Sequence, residues 1–308
     1  MSLVVNHNLM AMNAARNLST AYGRLGVSTR RLSSGLRVGT AADDAAGLAI
    51  RELMRADIAS LNQGIRNAND AISLIQTADG ALQVIDEKLI RMKELAEQAA
   101  TGTYTSDQRL IIDSEYQAMA SEITRIANAT DFNGIYLLNG NLSTSAVNPA
   151  DWGSSHNGAG LTPTGPLKIH FGTGNDSAED YYYIAIQTAT ASAFGLGNAA
   201  ASGAAGYTIS TQSAAQAALN QINEAIVSKD KIRAALGALQ NRLENTITNL
   251  QIQAENLQAA ESRISDVDVA TEMTEFVRNQ ILTQSAVAML AQANSLPRMA
   301  MQLIGGGA

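Results

Sequence analysis

LSSGLRVGTAADDAAGLAI, residues 32–50, interrupts a helical pattern that resumes on its far side. Gly35 and Gly39 supply stop signals for the helix before it. Thr40, with Asp43 three residues on, has the spacing of a capping box for the helix that follows. Asp44 adds negative charge to that helix's first turn, where the free amides point outward. The stretch reads as a joint between two helical pieces.

Before the joint, one seam of spacings four and three runs through Val4, Asn8, Ala11, Ala15, Leu18, Tyr22, Leu25, Thr29, Leu32 and Leu36. That heptad pattern predicts a helix of about 30 residues, about 45 Å long. After the joint, Ile58, Leu61, Ile65, Ala68, Ile72 and Ile75 repeat the spacing, and Ile85, Leu89, Met92, Ala96 and Ala99 extend it. A helix from about 44 to 100 follows, long enough to belong to a coiled coil or extended bundle. TGTYTSDQR breaks it, and Thr105 with Gln108 caps the next helix, whose stripe is Ile112, Tyr116, Met119, Ile123 and Ile126. DFNG at 131–134 reads as a tight turn.

Residues 141–212 change in character. Charge becomes sparse, Gly, Ser, Thr and Asn accumulate, and Pro149, Pro163 and Pro166 fall here. Leu167–Phe171 and Tyr181–Gln187 predict two short strands. From about Thr211 the helical pattern returns through Leu219, Ile222, Ile226, Leu236, Leu239, Leu243, Ile247, Leu250, Ala254 and Leu257. A last helix is predicted from Val267 to Leu303, with Pro297 bending or ending it near its last turns.

The predicted fold is mainly α: a long helical-bundle and coiled-coil rod, with nested N- and C-terminal helices and a small β-rich insertion. Its expected parts are a terminal helical coiled coil from 1–43 and 267–308, a helical rod from 44–140 and 213–266, and a variable β-rich part at 141–212. The terminal seam is expected to use Leu18, Tyr22, Leu25, Val277, Ile281 and Leu290.

Composition narrows the function. The 308 residues are 46% hydrophobic but only 4% aromatic, which suits close helix contacts between small side chains. A net charge of -7 without a basic stripe argues against nucleic-acid binding. No apolar run reaches membrane-spanning length, so membrane insertion is not expected. The start has no basic segment ahead of its apolar residues, so export would follow a route that removes no such leader. Cysteine is absent, and His7, His156 and His170 match neither a metal cluster nor a triad. No cofactor, metal or catalytic residue is expected, and the chain is not read as an enzyme. Asn17, Asn128 and Asn141 head weak glycosylation triplets. The remaining signal is architectural: apolar seams at both ends pair with each other and with copies of the same chain, and a repeating head-to-tail contact makes an open helical filament.

NHNLMAMNAARNLS, LSSGLRVGTAADDAAGLAI, the DFNG turn, ESRISDVDVATEM and QILTQSAVAMLAQANSLP, in that order, resemble bacterial flagellin over about three-quarters of the chain. The resemblance implies a filament-core domain, D0, made by both termini, and a rod-shaped D1 outside it. Leu32, Ser33, Ser34, Gly35, Asp43, Asp44 and Gly47 would form the D0–D1 connector and contact neighbouring subunits. It further implies export, polymerisation under a filament cap, torque transmission, an export chaperone on about Val267–Leu303 and hook–filament junction proteins as partners. LIRMKELAEQAA is similar to the segment read by a Toll-like receptor, with Arg91, Leu95, Gln98 and Glu115 at the contact positions. The ending MAMQLIGGGA departs from the family's usual leucine-rich close with a terminal arginine. A hook–filament junction protein, or another secreted coiled-coil assembly protein, is the alternative reading.

Overall fold

The computed structural model describes residues 8–143, 165–176 and 179–305. Val4, His7, Pro149, His156 and Pro163 lie outside them. In chain order the elements are α1 (Leu9–Ser34), α2 (Ala45–Ala100), α3 (Ser106–Ala129), β1 (Asp131–Phe132), β2 (Ile135–Tyr136), β3 (Leu167–His170) and β4 (Tyr181–Ile184). The short α4 (Ala191–Phe194) and a 3-10 turn (Gly197–Ala199) follow, then α5 (Gln212–Ser265) and α6 (Val269–Gly305). The mainly helical class and the small antiparallel β insertion match the sequence-based expectation. The chain divides into two compact units, Met1–Ile58 with Glu255–Ala308, and Ala59–Ala254.

The second unit holds the large apolar core. Leu82, Ile85, Leu89 and Met92 of α2 are wholly buried with Tyr116 and Ile123 of α3 and Ile222 of α5. Their spacing of three and four puts them on one stripe of each helix, so a single face closes the core. Thr105 starts α3 as expected: its hydroxyl accepts the Gln108 amide, and the Gln108 side chain accepts the Thr105 amide at 3.0 Å. The DFNG turn joins β1 to β2 with Asn133 at φ 52° and Gly134 at φ 80°, the positive pair that a tight two-residue hairpin requires.

β3 and β4 pair antiparallel, Leu167 opposite Ile184 and His170 opposite Tyr181. Both are shorter than the predicted strands because the Phe171 and Gly172 amides both donate to the Asp180 carbonyl, which ends the ladder. The Asn67 side chain donates to the His170 carbonyl at 2.8 Å. Gly64, on the same face of α2, leaves room for the Phe171 backbone; any side chain there would strike it. Tyr182 stacks under the Arg242 guanidinium, 3.6 Å from its ring centre.

Charges cross the core edge between α2 and α5. Lys229, buried, donates to Asp86 at 2.6 Å and pairs with Asp230 at 2.7 Å. Arg233 grips Asp79 at 2.7 Å and, with Gln83, holds that carboxyl below its ordinary range. Removing the lysine alone would strand Asp86 beside apolar surface, which costs more than the pair contributes.

Neighbouring residues of α2 therefore differ sharply in weight. Leu89→Ala should lower the unfolding free energy of the monomer by about 2–5 kcal/mol. Ile90→Ala, at a half-exposed position, should change it by less than about 0.5 kcal/mol. Denaturant titration of the full chain followed by circular dichroism measures both, and equal effects would contradict the assigned helix face.

Candidate assembly interface

In the first unit, α1 and α6 run antiparallel side by side. At one end the Asn8 side chain donates to the Ala293 carbonyl at 2.8 Å, and at the other Arg31 pairs with Glu272 at 3.5 Å. The less exposed positions of α1 are Ala11, Ala14, Leu18, Ala21, Leu25, Ser28 and Leu32, with Val27 and Arg31 at the edge. Those of α6 are Glu272, Phe276, Asn279, Thr283, Ala286, Leu290 and Ala293. Both sets alternate steps of three and four, the signature of a two-helix coiled-coil seam.

Small residues take every second place in the α1 seam, Ala14, Ala21 and Ser28, and most of the α6 seam. This corrects the predicted seam at three positions. Tyr22 is 60% exposed, Val277 44% and Ile281 57%, while Leu18, Leu25 and Leu290 lie on the seam half-buried. The expected pattern shares Ala11, Leu18, Leu25 and Leu32 but takes Ala15, Tyr22 and Thr29 in place of their small neighbours. Large side chains there would hold the helices apart, so the small ones turn inward. Polar seam residues are satisfied locally, as when the Thr283 hydroxyl donates to the Asn279 carbonyl at 2.7 Å.

The result is a helix pair with apolar side chains left over. Met10, Met12 and Tyr22 of α1 are exposed, as are Met273, Val277, Ile281, Leu282, Val287 and Met289 of α6. α6 carries apolar residues around its whole circumference, yet α1 covers one side of it. A helix apolar all round is normally covered on every side. A groove of about 640 Å³ lies between the two helices, lined among others by Met10, Ala21, Asn279, Leu282 and Met289.

The predicted connector residues surround the end of α1. Leu32, Ser33 and Ser34 form its last turn, and Gly35 closes it in the left-handed conformation at φ 72°, its amide donating to the Arg31 carbonyl at 2.8 Å. The chain then pairs with the joint between α5 and α6. Leu36 bridges Asp266, the Arg37 amide donates to the Ser265 carbonyl at 2.7 Å, and the Val267 amide donates to the Gly35 carbonyl at 3.0 Å. The Arg37 side chain adds a bond to the Ile264 carbonyl at 2.8 Å.

Asp43 accepts from the Thr40 amide at 3.0 Å, the Thr40 hydroxyl at 2.8 Å and Arg30 at 2.9 Å. Thr40's hydroxyl is the leading cause that holds this carboxyl below its ordinary range. Thr40 therefore does not cap α2, because its hydroxyl is committed to Asp43. Asp44 does so instead, accepting the Gly47 amide at 2.9 Å one residue ahead of the helix.

Two residues that sequence reasoning missed complete the region. Arg51 is buried, donating to the Val38 carbonyl at 2.6 Å and pairing with Glu52 at 2.6 Å. Its only sequence signal is a cation one helical turn beyond Gly47, which many exposed arginines share. Asn8 is the second. Its carbonyl oxygen caps α1 by accepting the Ala11 amide at 3.0 Å, while its amide reaches Ala293. Ala293 is four residues before Pro297, which has no amide to give that carbonyl. The predicted stop at Pro297 is thus replaced by a helix that continues to Gly305, with Asn8 supplying the missing donor.

On the second unit, Arg91 binds Glu115 at 2.8 Å and Glu94 at 3.0 Å, and Gln98 donates to Tyr104 at 3.0 Å. The two carboxylates, Glu94 first, raise the Arg91 guanidinium above its ordinary range. Leu95 does not join this exposed cluster: it is buried in the core, because it falls on the same face of α2 as Met92 and Ala99.

Asn8→Ser keeps a capping oxygen but cannot span to Ala293. Amide exchange over the last turns of α6 in the assembled chain should accelerate about tenfold, the loss of one buried hydrogen bond. Adding Pro297→Ala, which restores the helical donor, should return it close to the original rate. Equal acceleration in both backgrounds would contradict the pairing of Asn8 with Pro297.

Among the described residues no group of three or more His, Asp or Glu is placed to hold a metal ion, and no helix is long and apolar enough to cross a membrane. The family model for the bacterial flagellin N-terminal helical region matches residues 5–143, and that for the C-terminal helical region matches 219–304. Flagellin of Halalkalibacterium halodurans is 41% identical over 98% of this chain and 100% of its own length. Flagellin FlaB2 of Treponema pallidum is 39% identical over the same shares. The crystal structure of Bacillus cereus flagellin is 28% identical, covering 64% of this chain and 94% of that one, with a TM-score of 0.44. With both end regions matched and relatives aligned along nearly the whole chain, this protein belongs to the bacterial flagellin family.

Proposed function

We propose that this chain is a structural subunit that polymerises into the extracellular bacterial flagellar filament and transmits motor torque for swimming, without catalysis. Family membership supports the polymerisation and the secreted location. The observation that carries the mechanism is α6, apolar around its circumference and covered by α1 on one side. Other copies of the chain supply the missing cover, and a repeating contact of that kind extends into a helical filament. Residues 1–43 with 267–308 are then the filament-core part, 44–140 with 213–266 the outer helical part, and 141–212 its variable β-rich portion.

In this reading Tyr22, Val277 and Ile281 meet neighbouring subunits, and Ala21, Ser28 and Thr283 hold the subunit's own helix pair. The connector Leu32–Gly47 sets the chain path and touches adjacent copies through Asp43 and Asp44. Before assembly the α6 segment needs protection, which a flagellar export chaperone gives. Filament cap and hook–filament junction proteins are the partners at the two ends of the polymer.

Purified full-length chain should extend seeds into filaments of uniform diameter, while the chain lacking Val267–Ala308 should not. Equal growth of the truncated chain, followed by electron microscopy, would sink the terminal-core account.

The Arg91–Glu115 pair with Gln98 offers a surface to a Toll-like receptor, Leu95 supporting it from beneath. Arg91→Ala should weaken signalling in a receptor reporter assay by at least about tenfold, as loss of a central arginine contact does. Unchanged signalling by correctly folded variant would remove this surface from the proposal.

A further inference from the structure

The methionines divide sharply between the two units. Met92 is wholly buried in the large core. Met10 of α1 is 52% exposed and Met289 of α6 is 63% exposed, and both line the groove between those helices. Their thioethers stand open to solvent in the single chain, on the face that another copy is to cover.

We propose that Met10 and Met289 are a pair of oxidisable sites whose sulfoxide state blocks assembly, so that subunits damaged by a hydroperoxide are kept out of the polymer. This rests on the assembly reading above. The thioether sulfur attacks one peroxide oxygen with a lone pair, and the O–O bond breaks. Sulfur is oxidised to the sulfoxide, and the second oxygen leaves and is protonated to water or an alcohol. The product is polar and chiral where the thioether was apolar and pliable.

The groove makes the change costly. Its floor is set by small seam residues such as Ala14, Ala21 and Ala286, which bring no hydroxyl or amine to a new oxygen. Asn279 is close by, but it is already buried in the seam. A sulfoxide enclosed there by a second copy loses its water without gaining a partner, and burial of an unpaired polar group is unfavourable. Two such groups, one on each helix, act on the same contact. The same oxidation leaves the subunit's own fold intact, because neither sulfur belongs to the seam or to the large core. Once assembled, the sulfurs are shielded, so the sites sense oxidant before polymerisation and not after it.

The test compares full-length chain, untreated and treated as monomer with hydrogen peroxide, in seeded growth. Mass spectrometry of peptides locates each sulfoxide. Oxidation at Met10 and Met289 with Met92 unmodified should raise the concentration left unassembled at least about tenfold, the factor equivalent to about 1.4 kcal/mol. Treatment with reductases for both sulfoxide epimers should restore growth. The double variant Met10→Leu with Met289→Leu should polymerise before and after peroxide alike. If doubly oxidised chain grows like untreated chain, the inference is overturned while the assembly reading stands. If the peroxide-treated double variant stalls as the natural chain does, the two sites are not the cause and the inference is overturned. If untreated chain fails to extend seeds at all, it is the assembly reading that falls. A double variant that does not polymerise even untreated is replaced by the single variants, each of which should recover part of the lost growth; no recovery in either overturns the proposal.

Discussion

The close approach of α1 and α6 is the constraint from which the rest of the terminal unit follows. Ala14, Ala21 and Ser28 face Asn279, Thr283 and Ala286 across an antiparallel seam, and side chains this small bring two helices close along their length. The large apolar residues of both helices cannot enter such a seam. They are turned outward, where in a single chain they meet water. A helix pair that gains its own cohesion from small residues and leaves its large ones outside is stable only in company.

The seam needs fixed ends. At one, Asn8 caps its own helix and supplies the donor that Pro297 lacks, so that α6 continues beyond the proline. At the other, Gly35 turns the chain in a conformation that favours glycine, and residues 35–37 pair with the backbone at 265–267. Arg51 then holds the Val38 carbonyl from the first turns of α2. Each interruption of a helix is met by a partner for the backbone groups it releases, which is why a joint rich in glycine and aspartate is still ordered.

Much of this was legible in the residues themselves, and what was not has physical causes. Thr105 and Gln108 announced α3 because a capping box is a local device with a fixed spacing. The long α2 was legible because its apolar stripe repeats over many turns. The terminal seam was read one residue out of phase at alternate positions. Reading by size favours Tyr22, whereas the pairing distance favours Ala21, and that distance belongs to the partner helix. Thr40 looked like the cap of α2 because its hydroxyl can accept, but here it donates to Asp43 and leaves the cap to Asp44. Leu95 fell in a surface motif yet sits on the buried stripe with Met92. Arg51 and Asn8 act across the chain, and no local pattern marks them.

The central claim is that the seam is internal to one subunit while the outward apolar residues of α1 and α6 are contacts between subunits. High-resolution electron cryomicroscopy of native filaments tests it most directly. The account predicts Ala21 and Ser28 against Asn279 and Thr283 of the same chain, with Tyr22, Val277 and Ile281 enclosed by neighbouring chains. A filament in which Tyr22 and Ile281 face solvent, or in which α1 pairs through Ala21 with the α6 of another subunit, would contradict it.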